Sequence, residues 1–253
     1  MDFESDRKAD MTTDGRIALI TGANKGIGYE IARQLGEKGI MVLIGARDAD
    51  RGSAAASELS RSGIAAQHIP LDLHDEDSIL EAARQIDSEF GKLDILVNNA
   101  GVTDPDDGVP SVATTGALRR IMETNFIGTH AVTKAMLPLI KRAPAGRIVN
   151  MSSSLGSLTL NGDPTSTYYS AQLLGYNASK AALNMLTVQL SEELRGTPAT
   201  VNSVSPGFVK TDLNGHTGHL SVEEGARLPV EFALQGDDAV SGQFVEAGGQ
   251  TPW

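Results

Sequence analysis

Tyr176 and Lys180, in the stretch YNASK, are the residues of this sequence whose types and spacing best suit acid–base chemistry. Side chains at positions i and i+4 of a helix lie on one face, so the pair could act on one substrate if the segment is helical. A nearby ammonium favours the ionised form of a phenol, and Lys180 is therefore expected to lower the pKa of Tyr176 from about 10. For an isolated pair, the alternative is an ordinary helix turn with a packed tyrosine and a solvated lysine.

A glycine-rich stretch, TGANKGIG at residues 21–28, follows an apolar run and precedes a helical pattern. Gly22, Gly26 and Gly28 allow a tight turn and a close approach of backbone to phosphate, and a helix N-terminus supplies free N–H donors. The spacing differs from G-x-G-x-x-G, and the G-K-[ST] ending of a P-loop is missing. The stretch predicts a dinucleotide pyrophosphate site, with a turn that binds nothing as the alternative.

Basic residues follow the second apolar run, where an acidic side chain would bond the ribose hydroxyls of NAD. Ala46 stands at that position and offers no carboxylate. Lys25, Arg47 and Arg51 could converge on a 2′-phosphate, which guanidinium groups bind well. NADP(H) is therefore the predicted cofactor. The alternatives are that Asp48 turns to the ribose and that the arginines are only solvated.

The elements that would hold these residues alternate in type along the chain. Apolar runs begin near residues 17, 41, 65, 94, 147, 200 and 242, and helical patterns between them include 28–38, 51–62, 75–90 and 115–142. Near-continuous apolar strands separated by helices require a sheet that is buried on both faces. We predict an α/β fold with one domain, a doubly wound parallel sheet of about seven strands, and helix caps at Gly39 and Gly63.

The composition excludes several functional classes. A net charge of -11 argues against a general affinity for nucleic acid or anionic membranes, and the absence of cysteine excludes disulfides and thiolate metal sites. Neither a secretory signal nor a long apolar run is recognisable, so we expect a cytoplasmic protein. Residues 1–13 are predicted to be an N-terminal extension of a catalytic domain at 14–253. His216 and His219 lack an obvious third ligand, and no metal is predicted.

Six motifs in this order resemble the short-chain dehydrogenases/reductases. They are TGANKGIG (21–28), LVNNAG (96–101), TNFIG (124–128), RIVNMSS (147–153), YNASK (176–180) and SPGFVKTD (205–212). Each motif is modest, but the ordered set is specific, and ANKGIGYEIARQL with Lys25 and Arg47 is similar to the carbonyl-reductase-like members. The resemblance implies a Rossmann-like fold and hydride transfer between NADP(H) and an aldehyde or ketone.

The resemblance also implies four catalytic residues. Asn125 would orient the lysine through its backbone and a water, Ser153 would hold the substrate oxygen, Tyr176 would exchange the proton, and Lys180 would grip the nicotinamide ribose. Ser153 and Tyr176 are 23 positions apart, which is longer than in most members and implies an insertion like that of carbonyl-reductase-like proteins. Ser152 is the alternative to Ser153.

Cofactor contacts implied by the resemblance, together with the basic residues above, are spread along the chain. The phosphate turn would supply Gly22, Asn24, Lys25, Gly26, Ile27 and Gly28; the 2′-phosphate and adenine side Arg47, Arg51, Asp72 and Leu73; the ribose side Asn99, Ala100 and Gly101; and the nicotinamide side Tyr176, Lys180, Pro206, Gly207, Val209 and Thr211.

An NADPH-dependent carbonyl reductase or ketoreductase with a small-molecule substrate is the leading functional hypothesis. A catalytically silent NADP(H) sensor and an epimerase or dehydratase of the same family remain alternatives. The substrate would lie between residues 153–175 and 212–228, against the apolar side chains Leu155, Leu158, Leu160, Leu173, Leu213 and Leu220. A monomer or homodimer is favoured over a tetramer, because the insertion could cover the helices through which relatives pair.

Overall fold

The computed structural model describes residues 15–253. The predicted extension, residues 1–13, lies outside the described residues. Within them, strands and helices alternate as the apolar pattern predicts. The strands are β1 (Ile17–Thr21), β2 (Met41–Ala46), β3 (Ala66–Pro70), β4 (Ile95–Asn98), β5 (Arg147–Met151), β6 (Thr200–Val204), β7 (Phe244–Glu246) and β8 (Gly249–Gln250).

The strands form one sheet in the order β3-β2-β1-β4-β5-β6-β7-β8. All neighbours pair in parallel except β7 and β8, so the prediction of a doubly wound parallel sheet is confirmed. The eighth strand was not predicted because it has two residues and no apolar run. The strand order reverses between β1 and β4, and ligands of such sheets bind in the crevice at the carboxyl ends beside this switch point.

Helices cover both faces of the sheet. They are α1 (Gly26–Gly36), α2 (Ala49–Arg61), α3 (Glu76–Phe90), α4 (Thr115–Met122), α5 (Thr129–Ile140), α6 (Leu158–Gly162), α7 (Leu174–Glu193) and α8 (Val222–Ala233). The segment predicted as one helix at 115–142 is divided by a π-helical stretch, Glu123–Gly128, between α4 and α5. Gly39 and Gly63 follow α1 and α2 with left-handed φ angles of 79° and 82°.

The core consists of two apolar layers, one on each face of the sheet. Alternate residues of β1 enter different layers, with Ala18 and Ile20 facing α1, α2 and α8, and Ile17 and Leu19 facing α3, α5 and α7. Every residue of β1, β4, β5 and β6 is buried. Full burial of each Ile or Leu stabilises the fold by about 1.5–3 kcal/mol, which makes the strands a rigid base for the loops at their ends.

Candidate active site

A cavity of about 1070 Å³ opens where β1 to β6 end. Its position is the one expected from the switch point of the sheet. The predicted cofactor residues that line it are Gly22, Asn24, Lys25, Gly26, Ile27, Gly28, Arg47, Asp72, Leu73, Asn99, Ala100, Gly101, Tyr176, Lys180, Pro206 and Thr211. Arg51, Gly207 and Val209 do not line it. Val209 is instead buried and pairs with Leu220 in a β-bridge.

The phosphate turn joins β1 to α1 at one wall of the cavity. Gly22 and Gly26 have positive φ angles of 65° and 59°, which glycine adopts without strain. α1 has no side-chain cap at Lys25 and no acidic residue in its first turn, so its first N–H groups keep their capacity to bind an anion. A Cβ at Gly28 would lie 2.4 Å from Asn99 Nδ2, and this close packing holds α1 against the end of β4.

The basic residues beside the turn have different partners. Arg47 lines the cavity. Lys25 also lines it, and its Nζ lies 2.5 Å from Asp212 Oδ2. Arg51 faces Asp48 at 3.4 Å outside the cavity, and Asp48 caps α2 by accepting a hydrogen bond from the Arg51 N–H at 3.0 Å. Two of the three predicted basic residues are therefore at the cavity, and the Asp48 carboxylate is occupied by the helix cap.

Tyr176 and Lys180 lie one turn apart on α7, as their spacing predicts. Lys180 is buried, its Nζ lies 5.6 Å from the centre of the tyrosine ring, and it donates a hydrogen bond to Met151 O at 2.8 Å. Burial lowers the pKa of Lys180 to about 8. Burial also raises the pKa of Tyr176 to about 12, while a hydrogen bond with Ser153 acts in the opposite direction. The expected lowering of the tyrosine pKa by Lys180 is not seen, because loss of solvent dominates.

The three consecutive serines after β5 have separate surroundings. Ser152 is buried and its hydroxyl donates to Asn184 Oδ1 at 2.6 Å. The Ser153 hydroxyl accepts the Leu155 N–H at 3.2 Å, and it lies near enough to Tyr176 to lower the pKa of the phenol. Of the two serines proposed from the sequence, Ser153 is thus the one whose side chain reaches the tyrosine.

Asn125 lies in the π-helical stretch and is fully buried. Its Oδ1 accepts the Val102 N–H at 2.8 Å, and its Nδ2 donates to Val102 O at 2.9 Å and to Ser179 Oγ at 3.0 Å. A Cβ at Gly101 would lie 3.5 Å from both Asn125 Oδ1 and Lys180 Nζ, so the asparagine and the lysine meet beside this glycine. Single π-helical turns inside helices occur frequently at functional sites.

Comparison with known protein families adds to this geometry. The family model described as short chain dehydrogenase matches residues 16–219. The chain belongs to the short-chain dehydrogenase family. The family assignment predicted from the ordered motifs is confirmed, and with it the oxidoreductase class.

This short-chain dehydrogenase is similar to proteins described as carbonyl reductases. It is 34% identical to carbonyl reductase (NADPH) 1 of Mus musculus in an alignment that covers 96% of this chain and 100% of the mouse protein. It is 35% identical to (+)-neomenthol dehydrogenase of Arabidopsis thaliana in an alignment that covers 87% of this chain and 91% of the plant protein. A solved structure of NADPH-bound carbonyl reductase from chicken fatty liver matches with a TM-score of 0.82 and 28% identity, covering 94% and 99%.

The segment between Ser153 and α7, where the sequence predicts an insertion, is held by two side-chain hydrogen bonds to residues near the end of the chain. The Tyr168 hydroxyl donates to Glu246 Oε2 at 2.5 Å, and Thr159 Oγ1 donates to Trp253 O at 2.8 Å. Leu213 lines the cavity, but the other five leucines predicted as the substrate wall do not, and Leu158 is 77% exposed. Most of the leucines predicted as the substrate wall therefore lie outside the cavity.

The two predicted loop histidines go to different partners. His216 lines the cavity and its Nε2 lies 2.9 Å from Asp212 Oδ1, whereas the His219 ring packs edge-on against Phe208 with centroids 6.0 Å apart. Among residues 15–253, no group of three or more His, Cys, Asp or Glu side chains could hold a metal ion. Every helix in the same range is too short or too polar to cross a bilayer.

Sequence reasoning missed an acidic loop near the site, residues 104–108, with the sequence DPDDG. Asp104 lines the cavity and binds the Arg120 guanidinium at 2.7 and 3.0 Å. Asp107 contacts the start of α7. A Pro/Asp/Gly cluster predicts a turn. The local sequence does not show its partners, because Arg120 and the start of α7 lie far along the chain from the loop.

Proposed function

We propose that this short-chain dehydrogenase is an NADPH-dependent carbonyl reductase, which converts an aldehyde or ketone into an alcohol. The observation that carries the proposal is the convergence of three groups at one cavity. The Tyr176 phenol lies near Ser153, which lowers its pKa, Lys180 lies one helical turn away, and the same cavity begins at a glycine turn whose helix N-terminus lacks a side-chain cap.

The residues at the glycine turn fit a dinucleotide with a 2′-phosphate. The uncapped N–H groups of α1 would bind the pyrophosphate, and Arg47 and Lys25, both at the cavity, would bind the 2′-phosphate. Asp72, whose Oδ1 accepts the His74 N–H at 3.0 Å, would contact the adenine. When bound there, NADPH supplies the hydride that adds to the carbonyl carbon.

Tyr176 would act as the proton donor. With its pKa raised to about 12, the phenol is protonated at neutral pH and carries the proton that the carbonyl oxygen requires. One hydride on carbon and one proton on oxygen turn the carbonyl into an alcohol, and solvent then returns a proton to the tyrosine. Lys180 places a positive charge beside the phenolate that forms at this step, which lowers the cost of losing the proton.

Ser153 would donate a hydrogen bond to the same carbonyl oxygen. Negative charge grows on that oxygen as the hydride arrives, so a donor fixed in advance stabilises the transition state more than the substrate. Asn125 would hold the first turns of α7 in place, because its Nδ2 donates to Ser179 Oγ and that hydroxyl donates to Tyr176 O. Leu213, which lines the cavity and is 41% exposed, would offer an apolar contact to the body of the carbonyl compound.

The relatives support this choice of cofactor and substrate. The mouse relative is described as a carbonyl reductase that uses NADPH, and the chicken structure is an NADPH-bound carbonyl reductase. Ala46 ends β2 without a carboxylate for the ribose hydroxyls, and Arg47 follows it at the cavity. NADPH is therefore favoured over NADH by the chain itself as well as by its relatives.

Cofactor oxidation over a panel of aldehydes, diketones and ketoesters tests the proposal, with NADPH and NADH compared. Arg47→Ala should raise the KM for NADPH by about tenfold or more, because a charge-assisted hydrogen bond contributes about 1.5–3 kcal/mol. Arg51→Ala is the matched control and should change it little, since this arginine lies outside the cavity.

Equal use of NADH and NADPH by the unmodified protein would contradict the cofactor choice. Tight NADPH binding without turnover of any carbonyl compound would favour the sensor hypothesis, and cofactor-dependent conversion of a substrate without net NADPH consumption would favour an epimerase or dehydratase.

A further inference from the structure

The first turn of α7, which carries Tyr176, is held by a carboxylate from a distant part of the chain. Asp107 Oδ1 accepts the Gly175 N–H at 2.8 Å, and its Oδ2 accepts the Tyr176 N–H at 2.9 Å. We propose that Asp107 is a positioning residue that fixes the backbone of Tyr176 for proton transfer. The proposal rests on the function proposed above for Tyr176.

α7 has no cap of its own at this end. Its N-cap residue, Leu173, makes no side-chain hydrogen bond, and its first turn contains no acidic residue. The first N–H groups of a helix have no partners within the helix, and a turn without a cap frays. The loop that contains Asp107 supplies these partners, because Gly108 O also accepts the Leu174 N–H at 2.9 Å. A carboxylate at a helix N-terminus is further stabilised by the helix dipole.

Gly175 is packed so as to admit the carboxylate. A Cβ there would lie 3.2 Å from Asp107 Oδ1, 2.9 Å from Ile121 Cδ1 and 3.0 Å from Leu118 Cδ2. A larger residue would therefore displace either the carboxylate or α4. This packing does not depend on the hydrogen bonds. It is therefore independent evidence that α7 and the loop that contains Asp107 lie in close contact.

The loop that contains Asp107 is also bound to α4 at the wall of the cavity. Arg120 on α4 binds both oxygens of Asp104, and the Asp107 N–H donates to Asp104 O at 3.0 Å. Arg120 and Asp104 line the cavity, whereas Asp107 does not. Asp107 therefore acts on the reaction only through the backbone of Tyr176. A misplacement of a reacting group by about 1 Å can cost about 100-fold in rate, so loss of this support should be measurable.

The experiment compares Asp107→Ala and Asp107→Asn with Asp106→Asn as matched control. Asp106 is exposed, lies in the same turn and outside the cavity lining, and contacts Arg120 only at 3.5 Å. The readouts are kcat and KM with NADPH and a carbonyl substrate, and hydrogen exchange at the backbone amides of Gly175 and Tyr176. Exchange reports the proposed contact without any need for activity.

In Asp107→Ala, the two amides should exchange at least about tenfold faster, because they lose their acceptors, and kcat should fall about 10- to 100-fold with KM for NADPH within about twofold. Asp107→Asn keeps one acceptor oxygen, so both the increase in amide exchange and the fall in kcat should be smaller. Asp106→Asn should match the unmodified protein. The Asn variant keeps the test usable if the Ala variant does not fold.

Unchanged exchange at Gly175 and Tyr176 in both Asp107 variants would overturn the proposal. Faster exchange with unchanged kcat would also overturn it, because the contact would then cap α7 without positioning the phenol. If the unmodified protein reduces no carbonyl compound, the proposed function fails, while the exchange result still decides whether Asp107 holds the turn.

Discussion

Lys180 is a buried ammonium whose position should reduce the stability of the folded protein at neutral pH. Lys180 is 4% exposed. Within residues 15–253, its ammonium donates a hydrogen bond to Met151 O alone, and no carboxylate lies within ion-pair distance of it. Burial lowers its pKa from 10.5 to about 8 because the charged form loses solvent. Lys180→Met replaces the ammonium by an uncharged side chain and should therefore remove a pH-dependent cost in the free energy of folding.

The size of this cost follows from the two pKa values. Between about pH 8 and pH 10.5 the unfolded chain keeps the lysine proton and the folded chain loses it, so folding becomes more favourable as the pH rises through this window. One pKa unit corresponds to about 1.4 kcal/mol, and the full cost at about pH 7 is therefore about 3 kcal/mol. At about pH 9.5 it has fallen to about 1.5 kcal/mol.

The free energy of unfolding of the unmodified protein should rise by about 2 kcal/mol relative to Lys180→Met between about pH 7 and pH 9.5. The variant also leaves Met151 O without its donor, which costs about 1–3 kcal/mol, but this offset does not depend on pH. Urea unfolding followed by circular dichroism at both pH values, without cofactor, measures the difference. Lys38→Met, which removes an exposed ammonium, is the control. A difference between Lys180→Met and the unmodified protein that stays constant with pH would refute the reasoning.

Three further predictions concern residues at the cavity and beside it. Ser153→Ala should lower kcat about 100-fold, because the carbonyl oxygen loses a hydrogen-bond donor, while Ser152→Ala should mainly lower the thermal midpoint. Steady-state kinetics measures the first effect and melting curves the second, and equal losses of kcat in the two variants would contradict the assignment. Gly28→Ala places a Cβ 2.9 Å from Gly22 O, so NADPH titration should show weaker binding, and unchanged affinity would count against a close phosphate turn. Glu246→Gln weakens the contact with the Tyr168 hydroxyl and should raise the KM for the carbonyl substrate but not for NADPH. Equal changes in both KM values would contradict the idea that Glu246 holds the segment between Ser153 and α7 in place for the substrate.

The strands could be predicted from the sequence because the central ones are buried on both faces and therefore read as apolar runs. β8 could not, since Gly249 and Gln250 pair through their backbone at the sheet edge and bury no side chain. The π-helical stretch was also missed. The apolar pattern runs on through 115–142, and the change of helix type accompanies the contacts of Asn125 with Val102, which no local pattern records.

Most of the predicted cofactor residues reach the cavity because loops at the ends of neighbouring parallel strands must meet. Arg51 shows the limit of this reasoning: a helix cap at Asp48 fixes its direction away from the cavity. The pKa of Tyr176 shows a second limit. The sequence places a lysine near the phenol, but it does not show the burial that raises the pKa of the tyrosine more than the lysine lowers it. Asp107 could not be found from the sequence because its acceptor role depends on a contact 69 residues away.

The central claim is that the Tyr176 phenol gives its proton to a bound carbonyl compound. Single-turnover reduction of an aldehyde or ketone by the NADPH complex, followed by loss of nicotinamide absorbance, tests it in Tyr176→Phe against the unmodified protein. The rate should fall by a factor of about 10² to 10⁴, the usual contribution of a positioned general acid, with the Kd for NADPH nearly unchanged. A rate unaffected by the replacement would contradict the account.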